Sequence, residues 1–349
     1  MTRIRRALIF RADATTRMGA GHVMRCLALA QAWKNNAGDV VFITNCETDT
    51  LARRLRDEKF QVIALPRHHL ETEDWAVTSK VLSKHPGSWV VTDGYHFDSA
   101  YQSQIKALGH PLCVIDDMVH LDHYHCDVLI NQNLHATMLD YTCDKDALQL
   151  LGRDYVMLRR EFLNYRGWKR DIPEKAQNIL VTLGGADPDN MTLKVIRAVN
   201  ALKDTALNLK VVVGPLNPHL RRIEAQLDAS DGNGRLINNA DCMAKLMAWA
   251  DLAISASGST SWELAFMGLP SLVIVMAENQ APVAKALQNK GVCNNLGRHV
   301  ELAEADITHS LRGLLTDLHQ RQNMSAQGRK LIGGNGAETI VANLLEIKR

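Results

Sequence analysis

The chain has 349 residues, 46% of them hydrophobic and 22% charged, with a formal net charge of +2. This is ordinary composition for a soluble globular protein, at a length that allows two domains with cores of their own. So small a net charge excludes a general attraction to nucleic acid or to a membrane surface, and no apolar run approaches the roughly 20 residues that span a bilayer.

The start, MTRIRRALIF, is basic and then apolar, but Arg11 and Asp13 cut the run short, which argues against a signal peptide. The seven cysteines (Cys26, Cys46, Cys113, Cys126, Cys143, Cys242, Cys293) are scattered and never in CxxC spacing. Reduced thiols buried as small hydrophobes look like this, so a cytoplasmic location is expected.

In chain order, ALIFRAD, DVVFITN, FQVIALP, SWVVTDG, LCVIDD and DVLINQN read as short buried strands. Between most of them lie amphipathic helical patterns such as DTLARRLRDEK and DSAYQSQIKALG. Runs apolar on both faces suit a parallel sheet covered by helices on each side. Residues 159–177 break the rhythm with charge, Gly167 and Pro173, and read as an interdomain linker centred on 166–176. The alternation restarts with NILVTLGG, LKVVVGP, GRLINN, DLAISAS and SLVIVMA, and AETIVANLLEIKR closes the chain as a helix. The expected fold is α/β, with two Rossmann-like domains (1–165 and 177–349) that have mainly parallel sheets and a cleft between them. The last helix is expected to pack back toward the first domain. In such sheets ligands bind at the carboxyl ends of strands.

Three loops at strand ends draw attention. In RADATTRMGAGHVMRC, Gly19 and Gly21 precede a helix whose first turn holds His22. The positive end of the helix dipole disfavours an imidazolium there, so the neutral form needed by a general base is favoured; a histidine packed against the sheet is the alternative. In TLGGADPDN, Gly184, Gly185, Ala186 and Asp187 form a backbone nest with helix N-cap candidates, suited to a diphosphate. In SASGSTSWELAFMG, Ser257, Gly258, Ser259 and Thr260 leave amides free at a helix start. Glu263 is placed there to take two ribose hydroxyls, and Asn279 and Gln280 follow the next strand.

Asp93, Tyr95 and His96 of VTDGYHFD stand at a strand end, suited to orienting a base or contacting a sugar. VHLDHYHCD gathers His120, Asp122, His123, His125, Cys126 and Asp127, but without HExxH or paired CxxC spacing it does not read as a metal site. Asp116 and Asp117 lack the DxD spacing, and no Walker A lysine or GxSxG elbow is present.

The segment DATTRMGAGHVMRCLALA resembles the amino-terminal signature of the UDP-2,4-diacetamido-2,4,6-trideoxy-β-L-altropyranose hydrolases of pseudaminic-acid biosynthesis. Asp13, Gly19, Gly21, His22 and Arg25 fit their pattern. The resemblance continues through DGYHFD, IDDM, HCDVLINQN, YVMLRREF and LGGADPDN to SASGSTSWELAFMGLP. That last segment is also similar to the donor-nucleotide site of the peptidoglycan N-acetylglucosaminyltransferase. The resemblance implies a GT-B architecture, with UDP held by the second domain and the sugar and the chemistry on the first.

The implied reaction is hydrolysis at the anomeric C1–O bond with inversion, His22 taking the proton of the attacking water. His22, Asp13 and Tyr95 are the expected catalytic residues. Gly19, Gly21, Arg25, Asp93 and Arg159 are expected to line the substrate, together with the 184–187 and 257–260 loops, Glu263, Asn279 and Gln280. The protein is expected to act as a monomer without metal or cofactor. The competing readings are a GT-B glycosyltransferase using a UDP-amino-sugar donor and a non-catalytic UDP-sugar binder.

Overall fold

A computed structural model describes residues 7–347 except 17, 37, 67–70 and 231–232. The first apolar run is β1 (Leu8–Ala12), buried along its whole length. Its side chains alternate between two cores: Leu8, Phe10 and Ala12 enter one, and Ile9 enters the other beside Ala7. A strand covered on both faces can carry apolar residues at every position, which is why the run shows no polar alternation.

Strands β2 (Val40–Thr44), β3 (Gln61–Ala64), β4 (Trp89–Asp93), β5 (Leu112–Ile115), β6 (Val128–Asn131) and β7 (Leu148–Leu151) complete one sheet. All its pairings are parallel, in the order β3-β2-β1-β4-β5-β6-β7. Helices α1 (Gly21–Asn36), α2 (Asp49–Asp57), α3 (Glu71–Leu82) and α4 (Ser99–Ala107) connect its first five strands. The half-exposed edge strand β7, LQLL, escapes sequence reading because an edge needs fewer buried side chains.

After α5 (Arg160–Leu163) a second parallel sheet forms from β8 (Asn178–Thr182), β9 (Asn208–Val213), β10 (Asn233–Asn238), β11 (Leu252–Ala256), β12 (Ser271–Val275) and the polar edge strand β13 (Asn294–Arg298). Its order is β10-β9-β8-β11-β12-β13. Its helices are α6 (Met191–Asn200), α7 (Leu220–Asp228), α8 (Met243–Trp249), α9 (Thr260–Phe266), α10 (Ala281–Asn289), α11 (Glu304–Thr316) and α12 (Leu318–Leu331). The chain divides into two compact units, one running to Arg160 and resuming at Asn335, the other spanning Glu161–Gly334.

The stretch expected as a linker is pinned to the second unit. Arg170 donates to the carbonyls of Met247, Ala250 and Met267, which closes the ends of α8 and α9. Arg321 donates to those of Pro173 and Glu174. The last helix, α13 (Gly336–Glu346), belongs to the first unit. Ala337, Ile340, Val341 and Leu344 share a core with α1, and Trp89 Nε1 donates to the Leu344 carbonyl at 3.1 Å. Covered by the sheet on one side and α13 on the other, α1 is buried nearly all round, with the polar His22, Arg25 and Gln31 among its buried residues.

Both sheets follow the doubly wound plan. Strand order reverses between β1 and β4 in the first unit and between β8 and β11 in the second. Crevices at the carboxyl ends of such strand pairs are where this architecture binds ligands. The loops singled out in the sequence leave these four strands.

Candidate active site

The β1–β4 register sets Ala12 beside Asp93, so the loop into α1 and the end of β4 share one edge. His22 and Arg25 lie one turn apart on α1 and therefore on the same face. Both reach Asp93. His22 Nδ1 is 2.6 Å from Asp93 Oδ1, while Arg25 Nε and Nη2 donate to Oδ2 and Oδ1, each at 2.6 Å.

Asp93 is fully buried, which by itself would raise its pKa. The Arg25 charge and the contacts with His22 more than offset this and hold the carboxyl well below the usual carboxylate range. Beside an ionised carboxylate, a neutral imidazole is favoured in the tautomer with its proton on Nδ1 and its lone pair on Nε2. Asp93, expected to line the substrate or orient a base, is committed to holding His22 and Arg25.

Arg25 extends the network. Its Nη1 donates to Asp117 Oδ2 at 3.0 Å, and the other oxygen of Asp117 accepts from the Tyr95 hydroxyl at 2.5 Å. Tyr95 also meets the His22 ring edge-on, with centroids 5.2 Å apart. Thus His22, Arg25, Asp93 and Tyr95 come together, with Asp93 joining His22 to Arg25 and Asp117 joining Arg25 to Tyr95. The guanidinium of Arg25 is spent on the two carboxylates rather than presented to a ligand.

Asp13 belongs to a neighbouring cluster. Arg11, wholly buried on β1, donates to Asp13 at 2.5 and 2.9 Å and to Asp74 of α3 at 2.5 to 3.1 Å. The Asn45 amide also donates to Asp13 at 2.7 Å, and His96 Nε2 lies 3.2 Å from its Oδ2. Burial would raise the Asp13 pKa, but His96 and Arg11 hold it well below the usual range. Its carboxylate is occupied by these partners, so the structure gives Asp13 a charge-balancing position. Gly19 closes the loop with φ +74°, a left-handed conformation that favours glycine, and donates to the Thr15 carbonyl at 2.8 Å. Gly21 opens α1.

A second histidine–aspartate pair stands beside the first. His120 Nδ1 is hydrogen-bonded to Asp116 Oδ2, and the His120 ring meets Tyr95 edge-on at 5.6 Å. Asp116 Oδ1 accepts from the Tyr141 hydroxyl at 2.8 Å and from the Met118 and Val119 amides. The sequence shows only that Asp116 lacks DxD spacing, and its partners are legible only in three dimensions. Arg159 is buried in the first unit.

In the second unit the amides of Gly184, Gly185, Ala186, Gly258 and Ser259 donate to no backbone acceptor among the described residues. Gly184 has φ +93°, and Gly185 packs so closely on Gly214 that a Cβ at Gly214 would lie 2.5 Å from its Cα. Of the expected ligand residues, Asp187 caps a helix as its position suggests, while the Ser257 and Gln280 side chains turn to the fold. The Asp187 carboxylate caps α6, accepting from the Met191 and Thr192 amides at 2.8 and 2.9 Å. Ser257 is buried, its amide on the Ile274 carbonyl and its hydroxyl turned to Ile274 and Gln280. Gln280 Oε1 accepts from the Met276 amide at 3.0 Å, bracing the end of β12. Thr260 and Glu263 lie on the first turn of α9, and Asn279 lies in the short turn after β12.

Residues 178–340 match the glycosyltransferase family 28 C-terminal domain. The chain is 25% identical over 291 residues to the UDP-2,4-diacetamido-2,4,6-trideoxy-β-L-altropyranose hydrolase of Campylobacter jejuni, covering 81% of this chain and 97% of that protein. It is 24% identical over 339 residues to the spore coat polysaccharide biosynthesis protein SpsG of Bacillus subtilis, covering 96% and 97%. An uncharacterized protein of Methanocaldococcus jannaschii is 27% identical over 277 residues, 77% of this chain but only 55% of that longer protein.

Among solved structures, MurG of Acinetobacter baumannii superposes with a TM-score of 0.66 at 15% identity, covering 98% of this chain and all of that one. Among the described residues no helix is long and apolar enough to cross a membrane. The chain has a GT-B-type fold of two parallel-sheet domains, matches the glycosyltransferase family 28 C-terminal domain over residues 178–340, and is similar to the UDP-diacetamido-trideoxy-altropyranose hydrolases.

Proposed function

We propose that the protein hydrolyses UDP-2,4-diacetamido-2,4,6-trideoxy-β-L-altropyranose at the anomeric C1–O bond, releasing UDP and the free sugar for pseudaminic-acid synthesis. The observation that carries this reading is the His22–Asp93 pair at 2.6 Å, at the switch point of the first sheet. Water attacks C1, and its proton passes to His22 Nε2 as the new C–O bond forms. The C1–O bond to the diphosphate breaks with its electron pair leaving on UDP. Asp93 fixes the Nδ1–H tautomer and stabilises the imidazolium that forms, the part a buried carboxylate plays beside a general base.

UDP needs no proton to leave if its charge is met. The free amides of Gly184, Gly185, Ala186, Gly258 and Ser259 support such a role, each a fixed dipole needing no reorganisation during the reaction. Attack from the face opposite the leaving group inverts C1. Backbone donors carry this role, because the side chains of Asp187, Ser257 and Gln280 serve the fold.

The family 28 domain match supports a second reading, transfer of the sugar to an acceptor hydroxyl with His22 as the same base. Incubating the protein with UDP-sugar alone separates the two. Proton NMR showing UDP and free sugar, with the α-anomer or β-anomer formed first, supports hydrolysis and reports the stereochemistry. Donor that persists until an acceptor is added supports transfer.

A further inference from the structure

The stretch from Val119 to Asp127 looked metal-like in composition but not in spacing, and the fold sorts its residues. His120 turns to Asp116, while Asp127 accepts from Lys106 Nζ at 2.5 Å and from the Leu112 amide at 2.7 Å. Cys126 is buried in the core and Asp122 is exposed, which leaves His123 and His125. They alternate along an extended segment, so their imidazoles share one side, and Tyr124 between them is fully buried on the other.

Backbone pairing brings a third group to that side. The Tyr124 amide donates to the Thr142 carbonyl at 2.8 Å and the Asp144 amide to the Tyr124 carbonyl at 3.2 Å. Asp144 Oδ1 then lies 2.9 Å from His123 Nε2 and 3.1 Å from His125 Nδ1. Among the described residues this is the one group of three such side chains whose ligand atoms all lie within 4.8 Å of one another.

We propose that His123, His125 and Asp144 bind a divalent transition cation of the zinc class, with its remaining coordination positions open to water. Bonds of about 2.0–2.1 Å in a tetrahedron set neighbouring donors roughly 3.3 Å apart, so the two histidine–Asp144 spacings need to open by only a few tenths of an ångström. Two imidazoles and one carboxylate select zinc-like ions over magnesium or calcium, which prefer all-oxygen shells. The proton now shared between each ligating nitrogen and Asp144 moves to the other ring nitrogen or to solvent as the ion enters.

The frame is set beforehand. Ser99 Oγ donates to the His123 carbonyl at 2.6 Å, and Gln102 Oε1 accepts from the His125 amide at 2.9 Å, both from α4. The three side chains are each just over one-third exposed, so an ion enters from solvent without unfolding. Bound there, it clips residues 123–125 to residues 142–144. It does not enter the His22 network, whose hydrogen bonds run to other partners, and the proposal stands apart from the hydrolase reading.

The test uses the full chain stripped with a chelator and titrated with Zn²⁺ against a chromophoric zinc indicator, followed by thermal melting. One equivalent should bind with at least tenfold preference over Asp144→Asn, and Zn²⁺ should raise the melting temperature of the parent protein but not of that variant. His123→Ala should behave like Asp144→Asn, and both should melt like the parent in chelator. If His123→Ala fails to fold, the isosteric Asp144→Asn decides alone. No stoichiometric uptake by the parent, equal uptake by Asp144→Asn, or equal competition by Mg²⁺ would each overturn the site.

Discussion

His22 and Asp93 meet at 2.6 Å although 71 residues separate them, because β1 and β4 are neighbours in the sheet and α1 begins at the same edge. The imidazole is thereby fixed by a carboxylate that Arg25 keeps ionised, a pairing that favours the tautomer with its lone pair on the nitrogen facing away from Asp93. The account predicts that Asp93→Asn lowers kcat by about 10³–10⁴-fold, since the amide favours the wrong tautomer. Steady-state kinetics with circular dichroism on the same samples would check it. A variant that is folded and loses less than tenfold would show that Asp93 does not orient the base.

Arg25 bridges Asp93 and Asp117 with its planar fork, a geometry lysine cannot reproduce. Arg25→Met leaves buried carboxylates unpaired and should cost roughly 3–5 kcal/mol. Arg25→Lys should fall between it and the parent. Urea unfolding should show lower midpoints at an unchanged m-value.

Acid should unfold the first unit through the same buried ion pairs. Asp13, Asp74 and Asp93 all have pKa values lowered in the fold by arginine and hydrogen-bonding partners, against the opposing effect of burial. Groups with depressed values contribute stability that is full above the ordinary carboxylate range, near pH 4, and is lost as pH falls toward the folded values. Below pH 4 the slope should approach about 1.4 kcal/mol per pH unit for each such group. Asp187, whose pKa burial raises, acts in the opposite sense. Urea unfolding of Asp74→Asn between pH 3 and 7 should give a shallower acid slope than the parent, and an equal slope would contradict the assignment.

Gly214 tests the second unit without touching the first. A methyl group there meets the Gly185 backbone at 2.5 Å, so the 184–187 turn must move. Gly214→Ala should weaken UDP binding at least about tenfold in a calorimetric titration, the cost of losing one or more charge-assisted amide contacts. Unchanged affinity would remove that turn from the diphosphate site.

Much of this arrangement can be read from the chain because it is local. The strands β1, β4, β8 and β11 announce themselves as short apolar runs, and the glycines and His22 lie directly after one of them. Asp93 and Tyr95 were marked by their place at a strand end. What escaped depends on pairing across long separations. Arg11 looked like a charge ending an apolar run, yet it is buried against Asp74, 63 residues away. Asp117 carries no signal in its own neighbourhood, and neither does Asp144 beside the histidines that precede it by about 20 residues. Asp187 is legible as a helix cap from its place after the glycines, whereas Ser257 and Gln280 look like ligand contacts because bracing a strand end uses the same residue types. The edge strands β7 and β13 were missed because a half-exposed strand needs no apolar run.

The central claim is that His22 activates water while other groups hold UDP. It is tested most directly by measuring turnover and UDP affinity together on His22→Ala, with the parent's UDP-sugar substrate. The account predicts a fall in kcat of about 10²–10⁴-fold, the usual worth of a general base, with the Kd for UDP unchanged. Near-normal turnover would contradict it.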